Sequence, residues 1–187
     1  MTDPDLIVRA RAGNEAAWEA LVRAHQQAVF RLAYLLLGNA HDAEDVTQEV
    51  FIRAFHALNR FDQVRPLRPW LLQITANQAR NHRLTLGRYL AAVRRLIQER
   101  PDKQFGTIGQ SVAHLEAEVL WNAVRRLSIA DQQIIYLRYF LDLSEAETRE
   151  ALGIAPGTVK SRLHRAVQRL RTVVDREYPG LREGRQA

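Results

Sequence analysis

Apolar residues recur at intervals of three and four positions along most of the chain, the spacing that places them on one face of an α-helix. The first run comprises Trp18, Leu21, Val22, Val29, Leu32 and Leu36. Gly38 follows it as a typical helix stop, and a second run begins near His41. A third begins at Trp70, after the proline-containing loop 60–69, and is predicted to end before Gly87. No useful alternating strand pattern occurs, so we predict an all-α fold.

The periodicity weakens between about 88 and 114, although the sequence RYLAAVRRLIQER could form a helix of its own. We predict a flexible linker at 88–114 between two small helical domains at 1–87 and 115–176, followed by a disordered tail at 177–187. In the second domain, helices are predicted through Leu115–Leu127, Ser128–Phe140 and the segment SEAETREALG. Ser128 with Asp131, and Ser144 with Glu147, have the spacing of capping boxes.

The segment GIAPGTVKSRLHRAVQRLR at 153–171 predicts the second half of a helix-turn-helix, whose turn contains Gly153. One face of its helix is apolar, with Val159, Leu163, Ala166, Val167, Leu170 and Val174. The other surface carries Thr158, Lys160, Ser161, Arg162, His164, Arg165, Gln168 and Arg169, which suits DNA phosphates and base edges. A solvated basic helix on a small bundle remains the alternative. Ala155 precedes Pro156, so a helix starting at this proline lacks a side-chain cap.

An acidic face is predicted on the helix that begins near His41. Asp42, Asp45 and Glu49 stand at i, i+3 and i+7, with Gln48 beside them. An acidic face repels DNA, so we expect this helix to meet a protein. The alternative is a solvated face that complements the helix dipole, particularly at Asp42 and Glu44.

A second candidate DNA surface lies on the helix that begins at Trp70. One side of this helix carries Trp70, Gln73, Asn77, Arg80 and Asn81. An aromatic ring, amides and a cation could stack on and hydrogen-bond single-stranded bases. The alternative for Trp70 is core packing, which is also our expectation for Trp18 and Trp121.

Composition narrows the function classes. The 187 residues carry a net charge of +6 with a pI near 10.3, which favours a polyanionic partner. The chain contains no cysteine, and its longest apolar run, LAYLLL, is too short to span a bilayer. We therefore expect a soluble, cytoplasmic protein without membrane insertion. The histidines lack ligand spacing and no Gly-rich phosphate loop occurs, so we predict no metal, no cofactor, no catalytic residue and no enzyme.

These motifs together resemble one known family. L-G-x-x-x-G-T-V-K-S-R-L-x-R-A, at 152–166, resembles the promoter-reading helix-turn-helix of bacterial extracytoplasmic-function (ECF) sigma factors. D-A-E-D-V-T-Q-E-V-F-I-R-A-F, at 42–55, and R-P-W-L-L-Q-I-T-A-N-Q-A-R-N, at 68–81, resemble the other signature of this family. The resemblance covers nearly the whole chain apart from the linker and the tail.

The resemblance implies a transcription initiation factor that binds core RNA polymerase and promoter DNA, for a stress or envelope regulon. It implies that Asp45, Gln48 and Glu49 contact a coiled coil of the largest polymerase subunit. Asn77 and Asn81 would read the minus-ten element, with an unstacked base in the loop Phe61–Arg68, and the helix-turn-helix would read the minus-thirty-five element. An anti-sigma factor is a further expected partner.

Two other function classes compete with this interpretation. A free-standing helix-turn-helix repressor or activator would bind DNA without polymerase, usually as a dimer. The chain shows no evident effector pocket or dimerisation helix, and it devotes a whole domain to an acidic face. A pure protein-binding adaptor is disfavoured by the groove-facing Ser161, His164 and Arg165.

Overall fold

The computed structural model describes the backbone at residues 2–96 and 112–177 and the side chains at 2–86 and 119–177. The described part contains helices and no strand, which confirms the all-α prediction. Its α-helices are α1 (Asp3–Arg11), α2 (Glu15–Leu37), α3 (Ala40–Ala57), α4 (Leu67–Leu96), α5 (Val112–Arg125), α6 (Ile129–Ile135), α7 (Glu145–Leu152) and α8 (Thr158–Glu177). We call α1–α4 the N-terminal module and α5–α8 the C-terminal module.

Local signals explain where the helices of the N-terminal module begin and end. The Asn14 side chain accepts a hydrogen bond from the Ala17 amide at 2.8 Å and starts α2. Gly38 ends α2 at a φ of 75°, in the left-handed conformation that glycine adopts most easily. The Arg125 guanidinium lies against Gly38, since a β-carbon there would be 2.4 Å from its Nη1, but this flexible side chain could move and the left-handed φ is what favours glycine. Helix α1, which the sequence analysis did not predict, begins with a capping box between Thr2 and Asp5.

The C-terminal module confirms the Ser144–Glu147 capping box, whose hydrogen bonds lower the pKa of Glu147 below its ordinary value. Ser128 caps α6 as expected, but the Asp131 carboxylate accepts from the Ser128 hydroxyl and not from the Ser128 amide, so the second box is incomplete. Gly153 has a φ of 61° in the turn between α7 and α8. The sequence suggests that a helix starting at Pro156 would lack a side-chain cap. Helix α8 instead starts at Thr158, so Pro156 lies in the turn before the helix.

The predicted end of the third helix is wrong. Helix α4 continues past Gly87 to Leu96, because residues 88–96 of the segment that could form a separate helix extend α4 instead. The predicted linker lies at 88–114, and the part of it at 97–111 lies outside the described residues. Residues 178–187 of the predicted tail at 177–187 also lie outside them, whereas residue 177 is the last of α8.

Two hydrophobic clusters hold the described helices together. The first lies entirely within the N-terminal module and includes Leu21, Val50 and Leu71. Trp18 packs against it, with ring centroids 5.2 Å from Phe55, as expected for a core tryptophan. The second cluster joins the two modules: Leu32, Leu35, Leu36, Leu72 and Ala79 pack with Val124, Ile134, Tyr136, Leu137, Leu143, Val159 and Ala166.

Tyr136 is the largest side chain that is fully buried in this shared cluster. Trp121 stacks on its ring at a centroid distance of 5.9 Å, so the tryptophan expected in the core packs half-buried against it. The Tyr136 hydroxyl has no hydrogen-bond partner among the described residues. Burial raises the pKa of Tyr136 to about 12, against a smaller opposing effect of Arg125 and Arg83.

Candidate nucleic-acid and protein interfaces

The acidic face predicted on α3 is present on the surface. Glu44, Asp45 and Gln48 are exposed, whereas Asp42 and Glu49 are half-buried. Each of three carboxylates has a basic neighbour: Asp42 lies 3.3 Å from His82 of α4, Asp45 lies 3.3 Å from His41, and Glu49 pairs with Arg53. Glu49 is therefore the acid paired with an arginine, and Glu44 and Asp45 are the exposed carboxylates of the face.

Two exposed apolar residues extend this face toward the end of α3, and the sequence analysis missed them. Ile52 is 53% exposed and Phe55 is 51% exposed. At 7 and 10 positions after Asp45 they lie on the same side of the helix. They also line a groove of about 600 Å³ that runs past Trp18 to Glu15. The spacing contains this signal, but periodicity alone places Phe55 in the core.

The five residues predicted on the Trp70 helix do not share one environment. Asn77, Arg80 and Asn81 are exposed, and the Arg80 guanidinium donates to the Asn77 side-chain oxygen at 3.0 Å. Trp70 is half-buried, with its ring centroid 4.6 Å from that of the buried Phe61. Gln73 is half-buried beside Gly153 of the C-terminal module. The structure therefore brings only Asn77, Arg80 and Asn81 together on an exposed surface.

The loop between α3 and α4 is anchored at its start by Arg11 and braced within by a turn at Asp62. Arg11 of α1 donates to the carbonyl oxygens of Leu58 and Phe61. The side chain of Asp62 accepts from the Val64 amide at 3.0 Å, and Val64 itself is 92% exposed. An exposed apolar tip on an anchored loop suits contact with a partner or with an unstacked base.

Helix α8 separates its apolar and polar residues as predicted. Val159 and Ala166 are buried against the C-terminal module, and Leu163 and Leu170 pack at its edge. Lys160, Ser161, His164, Arg165 and Gln168 are exposed, whereas Thr158 and Arg162 are half-buried. The Ser161 hydroxyl donates to the Thr158 carbonyl and the Arg165 guanidinium donates to the Ser161 carbonyl, at 3.1 and 3.3 Å. Both side chains are thus held close to the start of the helix.

Arg169 differs from the other basic residues of α8. Its Nη1 lies 2.9 and 3.1 Å from the two carboxylate oxygens of Asp131, which is 5% exposed. The pair ties α8 to the start of α6. It borders a groove of about 740 Å³, which Arg126, Arg162 and Arg165 also line. Arg169 therefore has an internal partner that the sequence pattern did not reveal.

Neither a metal centre nor a membrane-spanning helix occurs in the described ranges 2–96 and 112–177. No described group of three or more histidine and acidic side chains could hold a metal ion. None of the helices described there has the length and apolar character needed to cross a membrane.

Comparisons with known proteins match both modules. Residues 21–89 match the family Sigma-70 region 2, and residues 117–170 match the family Sigma-70, region 4. The ECF RNA polymerase sigma factor SigL of Mycobacterium tuberculosis is 36% identical, over 87% of this chain and 91% of SigL. The RNA polymerase sigma factor NccH of Alcaligenes xylosoxydans xylosoxydans is 32% identical, over 91% of this chain and 95% of NccH.

A similar solved structure is that of CnrH in complex with the cytosolic domain of CnrY. CnrH is 27% identical to this chain, with a TM-score of 0.69 over 94% of this chain and 98% of CnrH. The sigma factor RpoE of Bartonella quintana, solved with the anti-sigma factor NepR, has a TM-score of 0.63 over 85% of this chain and 97% of RpoE. At 21% identity, this second similarity concerns the fold alone.

Proposed function

The chain belongs to the extracytoplasmic-function sigma factors, and on that premise we propose how its surfaces divide the work of promoter recognition. As a sigma factor it binds core RNA polymerase and directs the enzyme to promoters, as a transcription initiation factor. In our proposal, the domain at 1–87 binds polymerase and the minus-ten element, and the domain at 115–176 binds the minus-thirty-five element. The segment between them is proposed as a linker.

The observation that carries this proposal is the separation of charge between the modules. The exposed face of α3 is acidic around Asp45, and the exposed face of α8 is basic around Lys160 and Arg165. A basic face suits the phosphates of DNA, whereas an acidic face suits a basic protein surface. A factor that must hold polymerase and DNA together needs both kinds of surface.

We assign polymerase binding to Asp45, Gln48 and Glu49, with Asp42 and Glu44 as flanking charges. Ile52 and Phe55 add exposed apolar area beside them. Partners that combine charge complementarity with an apolar anchor bind more tightly than charge alone allows. The proposed partner is the coiled coil of the largest polymerase subunit.

We assign the minus-ten strand to the exposed segment of α4 from Asn77 to Asn81 and to the loop before α4. Asn77, Arg80 and Asn81 are exposed there, and amide side chains can hydrogen-bond the edges of unpaired bases. Trp70 and Gln73 remain part of the proposed surface, although both are half-buried in the free chain. Stacking and a shaped pocket would repay the cost of removing a base from the duplex.

We assign the minus-thirty-five element to the exposed start of α8. Ser161, His164, Arg165 and Gln168 are proposed to face base edges, and Thr158, Lys160 and Arg162 to face phosphates. Arg169 belongs to this surface only at its margin, because its guanidinium already pairs with Asp131.

Further partners follow from the family. CnrH was solved with the cytosolic domain of CnrY, and an anti-sigma factor is accordingly a proposed partner of this chain. A stress or envelope regulon and a cytoplasmic location are proposed on the same grounds. The alternative of a free-standing repressor is not favoured, because both sigma-70 regions are present.

The decisive experiment is run-off transcription with purified core polymerase over a promoter library, with and without this chain. The key variant is Asp45→Arg with Glu49→Arg, which inverts the acidic face while Val46 and Val50 stay packed. Like-charge contact with a basic polymerase surface should cost several kcal/mol and abolish co-purification with core enzyme. DNA binding by the free chain should stay equal or rise, since two cations are added.

The matched control is Glu19→Arg, tested beside Asp45→Arg alone, since Glu19 is an exposed acid of α2 outside the groove that Ile52 and Phe55 line. It should retain polymerase binding, and circular dichroism should show unchanged helix content in both variants. A folded Asp45 and Glu49 variant that binds core polymerase at wild-type strength would refute the assignment of α3.

A further inference from the structure

The C-terminal module packs on the loop and helix that we assign to the minus-ten strand. Helix α7 contacts α4, and the Leu72 side chain between them is fully buried. The Arg65 guanidinium of the loop pairs with the carboxylate of Glu150 on α7. Arg68, at the start of α4, donates to the Leu141 carbonyl at 2.9 Å. Two cations of the minus-ten surface are therefore occupied by groups of the same chain.

The environment of Glu150 shows that this pair is built into the contact. The side chain of Glu150 is 17% exposed, against 40% for that of Arg65. Arg149 approaches the second carboxylate oxygen at 3.7 Å. We call the contact of α7 and its C-terminal turn with α4 and the loop before it the seam. Gln73 is covered at this seam, since a β-carbon on Gly153 would lie 3.0 Å from its Nε2. The seam is thus both apolar and charge-paired.

A carboxylate and a phosphate present similar anionic oxygens to a guanidinium. DNA that entered the loop would bring phosphates close to Arg65 and Arg68, and those cations would hold the strand while a base is unstacked. The Glu150 carboxylate pairs with the Arg65 guanidinium at the position that such a phosphate would occupy. The carboxylate and the strand cannot occupy the same guanidinium at once.

We propose that α7 masks the minus-ten surface of the free chain, with Glu150 acting as an internal substitute for a DNA phosphate. This inference rests on the proposed assignment of the loop and α4 to the minus-ten strand. Asn77, Arg80 and Asn81 stay exposed, so the masked chain retains only weak affinity for single-stranded DNA. Engagement of the strand requires Glu150 to leave Arg65.

The test measures binding of the free, full-length chain to a fluorescein-labelled pool of random single-stranded DNA by anisotropy, at constant ionic strength. Glu150→Gln should tighten binding about fivefold, because it releases one partly exposed ion pair. Glu145→Gln is the matched control, since it makes the same charge change on the exposed first turn of α7. It should change the affinity less than twofold.

A second pair of variants separates release of the loop from net charge. Glu150→Arg should tighten binding more than Glu150→Gln and enlarge the radius of gyration in small-angle X-ray scattering, because two cations then face each other. Combining it with Arg65→Glu should restore the compact radius and weaken DNA binding below wild type, since the loop loses its cation.

Equal affinities for the Glu150→Gln and Glu145→Gln chains would overturn the proposal, as would a Glu150→Arg chain that binds DNA like wild type. These comparisons use no polymerase, so they are independent of the run-off assay. Failure of wild-type chain in that assay would refute the proposed function, whereas failure here would refute only the masking by α7.

Discussion

The two modules differ in how they are held together. The N-terminal module has a hydrophobic cluster of its own, built from α1–α4, whereas the C-terminal module completes its cluster with residues of α2 and α4. Adjacent residues of one helix show the division: Leu71 belongs to the first cluster and Leu72 to the second. The N-terminal module can therefore present its acidic face without the other, while the packing of the C-terminal module depends on its neighbour.

The largest expected effect comes from truncating this adjacent pair. Leu71→Ala and Leu72→Ala each remove a nearly or fully buried side chain and should each lower the free energy of unfolding by about 3 kcal/mol. Hydrogen exchange should separate the two variants. Leu71→Ala should speed exchange in α1–α3, and Leu72→Ala should speed it in α6 and α7. The same exchange pattern in both variants would mean that the two clusters act as one.

A second comparison concerns two arginines of α8. Arg169→Ala leaves the buried Asp131 carboxylate without its charged partner, so the free energy of unfolding should fall by about 2 kcal/mol. Arg162→Ala should change stability by less than about 0.5 kcal/mol and lower the salt slope of DNA binding by about one counterion. Urea unfolding and salt-dependent gel shifts measure both. An unchanged stability for Arg169→Ala would show that the pair does not hold α8 to α6.

The sequence predicts much of this architecture, because helix periodicity and capping are local. It predicts α2, α3, the Ser144–Glu147 box and the two faces of α8. It does not predict the pair of Arg169 with Asp131, whose residues are 38 positions apart. Periodicity identifies an apolar face but not the face that packs against it, so the shared cluster and the covering of Gln73 could not be foreseen.

Two other differences have local causes. Helix α1 carries a recognisable signal, with Thr2 as its N-cap and Pro4 and Asp5 in its first turn, but at nine residues it is too short for an apolar period to repeat. Helix α4 runs through Gly87 because a single glycine costs only about 1 kcal/mol in a helix, which a long helix can absorb.

Tyr136 lies in the cluster that the two modules share, so replacing it tests the packing between them. Tyr136→Phe removes a buried hydroxyl that has no partner among the described residues, and should raise the free energy of unfolding by about 1 kcal/mol at neutral pH. The pKa of the tyrosine is raised from 10.0 to about 12 in the folded chain. Wild type therefore holds the proton more tightly when folded, and its stability should fall as the pH rises from 10 to 12.

The phenylalanine variant should lose this part of the alkaline decline. Tyr139→Phe is the control, since Tyr139 is 62% exposed. Thermal unfolding at pH 8 and pH 11 measures both effects. A control that matches Tyr136→Phe at both pH values would show that the buried hydroxyl is not the cause.

The smallest expected effects come from the two capping boxes, one in each module. In both, a hydroxyl and a backbone amide donate to a carboxylate: Thr2 to Asp5 in α1, and Ser144 to Glu147 in α7. These hydrogen bonds lower both pKa values, so each contribution is present above the unfolded pKa and is lost as the pH falls through the folded one. Glu147→Gln should cost about 0.5 kcal/mol at pH 7 and nothing at pH 2.

The two capping boxes should nevertheless differ in how far from the cap their loss speeds hydrogen exchange. Asp5→Asn should loosen the first turn of α1, where Thr2 and Asp5 are exposed and Asp3 bonds to His25 of α2. Glu147→Gln should also speed hydrogen exchange where α7 packs on α4, since α7 has only eight residues and loosening its start can fray the whole helix. Exchange mass spectrometry on both variants at pH 7 makes the comparison. An effect of Glu147→Gln confined to residues 144–148 would show that the seam is held by Leu72 and its neighbours alone, and that the start of α7 contributes nothing to it.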